Sequence, residues 1–205
     1  RNIVAIQDLG ETTPENTRIG LLGGDPPNFF NTSGANPDLP RNAANDYDPA
    51  QIDNGGVLTG DIRDIATVDN AFQIPGGYSA NQGFDYAILE NARRLEVIRD
   101  FTFDTQLGYI SLNQRLSNDE VLGVAFQYTV NGEVFQVGEF ANGGIDATTV
   151  DPGVELQVNN NTLVVKLLKS NITNVSDPIW DLMMKNIYAT GAFQLAQDDF
   201  KLNIL

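Results

Sequence analysis

An Asn131-Gly132 dipeptide set between two strand-like runs constrains this chain more than any other feature. Asn-Gly is the pair that best tolerates the two positive φ angles of a type I′ turn, and such a turn sets the register of the strands it joins. With a two-residue turn, Tyr128 pairs with Phe135 and Phe126 with Val137 on one face. Thr129 then opposes Val134, Gln127 opposes Gln136 and Ala125 opposes Gly138 on the other. Successive side chains alternate, so one side of the ribbon is strongly apolar and the other mixed. The stretch from Asp104 to Phe140 holds no recognisable nucleophile or general base. It reads as scaffold.

What the chain lacks bounds its chemistry. Its 205 residues include no histidine and no cysteine. Imidazole acid–base catalysis, His or Cys metal sites, thiolate nucleophiles and disulfides are therefore excluded within it. The net charge of -15 argues against nucleic acid and anionic lipid as direct partners, because both need clustered Lys and Arg, and no direct lipid contact is expected. All four lysines (Lys166, Lys169, Lys185, Lys201) fall in the last quarter, so the acidity is concentrated before them. No apolar run approaches the ~18 residues of a membrane-spanning helix. The chain opens at Arg1 and stops at Leu205 inside a strand-like run, and it reads as a piece of something longer.

Composition divides the chain in three. Residues 1–10 are a strand or a connection from an upstream element. Residues 11–80 form a long insertion dense in Gly, Pro, Asn and Asp, which cannot sustain a helix or strand for long. Phe29, Phe30, Tyr47, Phe72 and Tyr78 are more aromatics than a solvated linker needs, so an ordered segment draped over a neighbouring surface is expected. Residues 81–205 read as an α+β core domain. A helix is expected over 83–98, where Phe84, Ala87, Ile88, Leu95 and Ile98 recur near helical spacing. Strands follow at 101–112 (bent near Asp104–Gln106), 121–130, 133–140, 162–168 and 199–205, with a turn-rich loop from Ala141 to Gly153. A second helix starts at Asp177 as N-cap and Pro178 at the first helical position, and ends near Gly191. Its stripe of Ile179, Leu182, Met183 and Ile187, widened by Trp180, Met184 and Tyr188, reads as core. The fold class is α+β: a mainly antiparallel sheet, two short helices and a long irregular N-terminal insertion.

Few residues invite a site. Asp46, Asp48 and Asp53 form the one oxygen-rich cluster suited to calcium, but Pro49 interrupts the alternate acidic spacing and no Glu stands at the bidentate position. Turn chemistry explains them better. The Gly-Gly pairs at 23–24, 55–56, 76–77 and 143–144 lack the Lys-Ser/Thr and helix of a phosphate loop. Asp119-Glu120 and Asp198-Asp199 are sequence neighbours that point apart in a strand, which makes them weak glycosidase pairs. Asn160, Asn171 and Asn174 head sequons that matter only in a eukaryotic secreted protein. Catalytic, cofactor-binding and metal residues: none are assigned.

The run LGYISLNQRLSNDEVLGVAFQYTVNGEVFQVGEF at 107–140 resembles a repeated segment of the SprA/Sov family. NTLVVKLLKSNIT at 161–173, DPIWDLMMKNIY at 177–188, DDFKLNIL at 198–205 and NARRLEVIRDFTFDTQ before them continue it. These are giant outer-membrane translocons of the type IX secretion and gliding machinery of Bacteroidetes. Residues 11–80 resemble a variable insertion and carry none of these motifs. The resemblance implies a soluble inter-strand domain of a very large β-barrel channel, without enzymatic activity or cofactor. It would cap or line the channel mouth, on the extracellular side or alternatively in the periplasm. Its implied partners are other segments of the same barrel, other secretion components and secreted cargo. A surface adhesin or ligand-binding module is the alternative, and a glycoside-active enzyme the third reading.

Because turn chemistry accounts for Asp46, Asp48 and Asp53, a calcium chelator should leave the melting temperature of the protein where it was. A fall of many degrees in a thermal scan would restore the calcium site.

Overall fold

Two apolar runs far apart in sequence, Ile3–Ile6 (β1) and Leu163–Lys169 (β10), lie side by side and parallel in the computed structural model of the protein. The structure describes residues 1–7, 9, 52–53, 58–73, 79–142, 148–150, 158–173, 175 and 178–183. Near-continuous apolar runs such as IVAI and LVVKLL suit strands covered on both faces. Both are so covered. Tyr86–Leu89 (β2) pairs antiparallel with the far edge of β1, and Leu122–Val124 (β5) pairs antiparallel with β10. The sheet order is β2-β1-β10-β5.

Alternation sorts the side chains into two cores. Val4, Ile6, Tyr86 and Val164 face one side, where Leu9, Leu58, Ile62, Val68 and Val137 close over them. Ala5, Ala87, Leu163, Val165 and Leu167 face the other, against Ile179. Each fully buried Val, Leu or Ile adds about 1.5–3 kcal/mol relative to exposure. Close approach is part of the design at β5, where a Cβ on Gly123 would lie 2.7 Å from a methyl of Val165.

Three hairpins complete the described strands: Phe101–Asp104 with Tyr109–Leu112 (β3, β4), Phe126–Val130 with Glu133–Val137 (β6, β7), and Thr148–Val150 with Val158–Asn160 (β8, β9). The β6–β7 register is the expected one, with Tyr128 opposite Phe135 and Phe126 opposite Val137. Asn131 and Gly132 both take positive φ, 52° and 87°, as a type I′ turn requires. Val137 is buried and Tyr128 packs partly against the same cluster, whereas Phe126 stays exposed.

The fold is mainly antiparallel β, and its helical content among the described residues is three short 3-10 turns, Gly60–Arg63, Val68–Asn70 and Pro178–Leu182. The helix expected over 83–98 is not there. Gly83 and Ile98 adopt positive φ at its two ends and Asn91 does so midway. Between Gly83 and Asn91, the run Tyr86–Leu89 becomes strand β2 because pairing with β1 buries Tyr86 in one core and Ala87 in the other. A four-residue apolar run fits helix and strand alike, and the tertiary partner decides. The bent strand expected over 101–112 is a hairpin, reversed by Asp104, whose Oδ1 accepts the amides of Gln106 and Leu107 at 2.9 and 2.8 Å. The turn-rich loop after the hairpin includes a strand, β8. At Pro178–Leu182 the expected α-helix begins as a 3-10 turn with Ile179 buried and Leu182 exposed. Asp177, Met184, Ile187, Tyr188, Gly191 and residues 199–205 lie outside the described residues.

A buried ion pair ties the turn-rich 58–72 segment to the sheet. Both terminal nitrogens of Arg63 donate to Glu139 at 2.7 Å, and Glu139 also accepts the Val164 amide at 2.8 Å. The side chains are 20% and 3% exposed. Thr162 donates from its amide to the Arg63 carbonyl at 2.9 Å and from its hydroxyl to the Ile62 carbonyl. Removing one partner of such a pair leaves a buried charge uncompensated. Arg63→Ala should therefore lower unfolding free energy by about 3 kcal/mol in a urea titration, whereas a change under ~0.5 kcal/mol would mark the pair as a surface contact.

Candidate interaction surface

No residue from 93 to 113 is buried. This stretch holds the β3–β4 hairpin, whose two strands pair with each other and with no further strand among the described residues. Directly opposite residues share a face, so Phe101 with Leu112 and Phe103 with Ile110 make one side apolar. Thr102 with Ser111 and Asp104 with Tyr109 make the other side polar. On the apolar side Phe103 is exposed while Phe101, Ile110 and Leu112 are half-buried, and an isolated two-stranded ribbon is marginal at best without a packing partner.

Four apolar side chains of the hairpin and its neck are exposed. Val97 is 61% exposed, Ile98 80%, Phe103 51% and Leu107 76%. Four such residues fall within positions 97–107, and large exposed apolar surface is what marks interaction sites.

The neck of the hairpin is built to hold a costly conformation. Ile98 is β-branched and has a φ of 74°, a left-handed geometry that costs roughly 1–2 kcal/mol. The Ile98 amide donates to the Phe101 carbonyl at 2.7 Å, and Asn113 Nδ2 donates to the carbonyls of Ile98 and Arg99 at 2.8 and 2.9 Å. The Asn113 amide donates to the Asp100 carbonyl at 2.9 Å. Asp100 gathers the rest: its carboxylate accepts the Glu96 amide at 2.9 Å, Arg99 at 3.1 Å and Arg93 at 3.2 Å. The amide bond from Glu96, followed by the Arg99 guanidinium, holds the Asp100 carboxyl down at about 2.

The residues singled out from sequence fall elsewhere. Asp46, Asp48, Asp198, Asp199, Asn174 and the Gly-Gly pairs lie outside the described residues. Asp53 acts as turn chemistry: it is exposed, has a φ of 63°, and its Oδ1 accepts the Gly60 amide at 2.7 Å. Glu120 caps the Ser117 amide at 2.6 Å, so it is engaged locally beside Asp119. Asn171 is exposed, and Asn160 ends β9. Phe72 stacks on Tyr86 at 4.7 Å between ring centres, a core role. Burial, then the Asp69 carboxylate that accepts its hydroxyl proton, raises the Tyr86 pKa well above the ordinary value. No group of three or more acidic side chains among the described residues is placed to hold a metal ion. The interaction surface itself escaped the sequence reading. Its signal was the alternation of FTF against YISL about the Asp104–Gly108 turn, which a single bent strand absorbed.

Residues 1–134 match the SprA_N family, described as motility related/secretion protein. The match takes in residues 11–80, where the sequence motifs carried nothing, and it includes the whole β3–β4 hairpin. No curated protein matches the chain.

Asp100 gives the neck an acid dependence. Its folded-state pKa lies below the ordinary carboxylate value, so its contribution is complete above about 4 and disappears as pH falls through about 2. Across that window, amide exchange at Glu96 and Asn113 should accelerate relative to the β1–β10 amides. A carboxyl titration of Asp100 centred at or above 4 would show the bonds do not hold in solution.

Proposed function

Because the chain belongs to the SprA_N family of motility-related and secretion proteins, we propose that it is a non-catalytic structural domain of an outer-membrane protein-translocation channel. In this reading it caps or lines the channel mouth and docks neighbouring subunits. The β3–β4 hairpin carries the proposal, since it presents an apolar face outside both cores and spends hydrogen bonds on a strained neck to do so. A folded domain gains nothing from such a face unless something packs on it.

Two further observations support the same reading. Asp53, Glu120 and Glu139 are engaged in a turn, a cap and an ion pair rather than converging on a cleft. A shallow concavity beside Trp180 and Ile172 encloses about 10 Å³, far below the ~300 Å³ at which small-molecule pockets begin. That gives the adhesin or ligand-binding alternative no foothold there. No helix of the described residues is long and apolar enough to cross a membrane. The barrel strands of the channel would be supplied by other parts of the assembly. We place the domain on the extracellular side, because large insertions in outer-membrane barrels favour outer loops.

Phe103→Ser with Leu107→Ser should reduce cargo export by the assembled channel while leaving the thermal unfolding of the domain unchanged. Full export with both substitutions would remove the docking role. The side follows from Asn142→Cys in the exposed turn after the β6–β7 hairpin, in a chain with no cysteine of its own. An impermeant thiol reagent should label it on intact cells, and labelling only after permeabilisation would move the domain to the periplasm.

A further inference from the structure

The charges around the β3–β4 hairpin are distributed unlike those of the rest of the chain. Of twelve Lys and Arg residues in a chain of net charge -15, four lie between positions 93 and 115: Arg93, Arg94, Arg99 and Arg115. Three carboxylates share the window, and all are occupied within it. Glu96 pairs with Arg99 at 3.0 Å, Asp100 with Arg93 and Arg99, and Asp104 with the amides of its own turn. Arg94 and Arg115 are exposed and have no ion-pair partner among the described residues. The hairpin is thus flanked in sequence by two arginines without an ion-pair partner among the described residues, in a chain of net charge -15.

We propose that the β3–β4 hairpin docks an acidic polypeptide segment of a partner protein, one that sets apolar side chains on Phe103 and Leu107 and carboxylates against Arg94 and Arg115. The proposal rests on the docking role above and adds the chemistry of the partner. Charge complementarity favours this occupant over its rivals. A second copy of this chain would bring another pair of uncommitted arginines to a twofold contact, where like charges facing each other are costly. A basic partner would meet the same arginines. An acidic segment meets neither obstacle, and pairing with it also supplies the covering that a two-stranded ribbon lacks. Opposite charge at the rim mainly sets association rate and selects the partner, while the apolar centre sets how long it stays.

The test places a photo-reactive benzoylphenylalanine at Leu107 in the intact protein within cells and identifies the cross-linked peptide by mass spectrometry. The expected product is a peptide from another protein, rich in Asp and Glu and bearing apolar residues. Its yield should fall by about tenfold in Arg94→Glu/Arg115→Glu, since each opposed pair becomes a repulsion. Both arginines lack described partners, so that variant should unfold at the parent temperature, which separates lost docking from lost fold. A product from a second copy, from elsewhere in this chain, or from lipid would overturn the proposal. So would a basic or uncharged peptide, a yield indifferent to the two substitutions, or no product at all. Export and partner chemistry are read independently, so failure of one does not disguise failure of the other.

Discussion

Glu139 presents a buried carboxylate to Arg63 and to the amide of Val164 at once, and so joins the 58–72 segment to the sheet over the first core. Glu139 follows the β6–β7 hairpin, Arg63 sits in a 3-10 turn of the Gly-rich segment, and Val164 belongs to β10. Withdrawing a carboxylate from water is expensive, and only good geometry with further hydrogen bonds compensates it. Any packing in which the 58–72 segment stayed away would leave that charge buried and alone. The pair therefore selects one arrangement more than it adds net stability. Leu58, Ile62 and Val68 reach the face of β1 and β2 as a result of that selection.

How much of this was readable from the chain depended on how local the cause was. Asn131-Gly132 specifies its turn by its own backbone preferences, and the register of Phe126 and Tyr128 followed from it. Tyr86–Leu89 was misread as helix because four apolar residues carry no decisive period, and the partner that makes them a strand lies at Ile3–Ile6. The burial of Leu58, Ile62 and Val68 left no trace for a similar reason. Single apolar residues spaced through turn formers have no period, and the contacts that hold the segment, such as the ion pair to a residue 76 positions away, are not local. The exposed face of Phe103 was hidden by a different effect. Strand alternation tells which residues share a side, but whether that side is covered depends on everything else in the fold.

Core and hairpin place their charges in opposite ways. In the core, Lys166 is buried and donates to the Gln7 carbonyl, and Glu139 is held by Arg63, so charge serves internal closure. At the hairpin, Asp100 and Asp104 are spent on the neck and the turn, which keeps the carboxylates off the outer rim. A chain this acidic would otherwise repel an acidic neighbour over roughly a Debye length, ~8 Å at physiological salt. Local satisfaction of three carboxylates creates a window in that field through which the two arginines act.

The parallel pairing of β1 with β10 also governs how the domain comes into being. Ile3 finds its neighbour only at Leu163, so the central ladder joins nearly the two extremes of the described chain. Contacts of such sequence separation form late, because loop entropy is lost before any ladder energy is recovered. Until β10 arrives, β1 is an apolar strand with one side already open to pairing with anything that offers an edge. A protein that must reach a membrane before it assembles would meet that hazard in transit. Among the described ladders this one spans the most sequence, so its closure is expected to be the slowest step and the interval before it the one in which a chaperone would matter most.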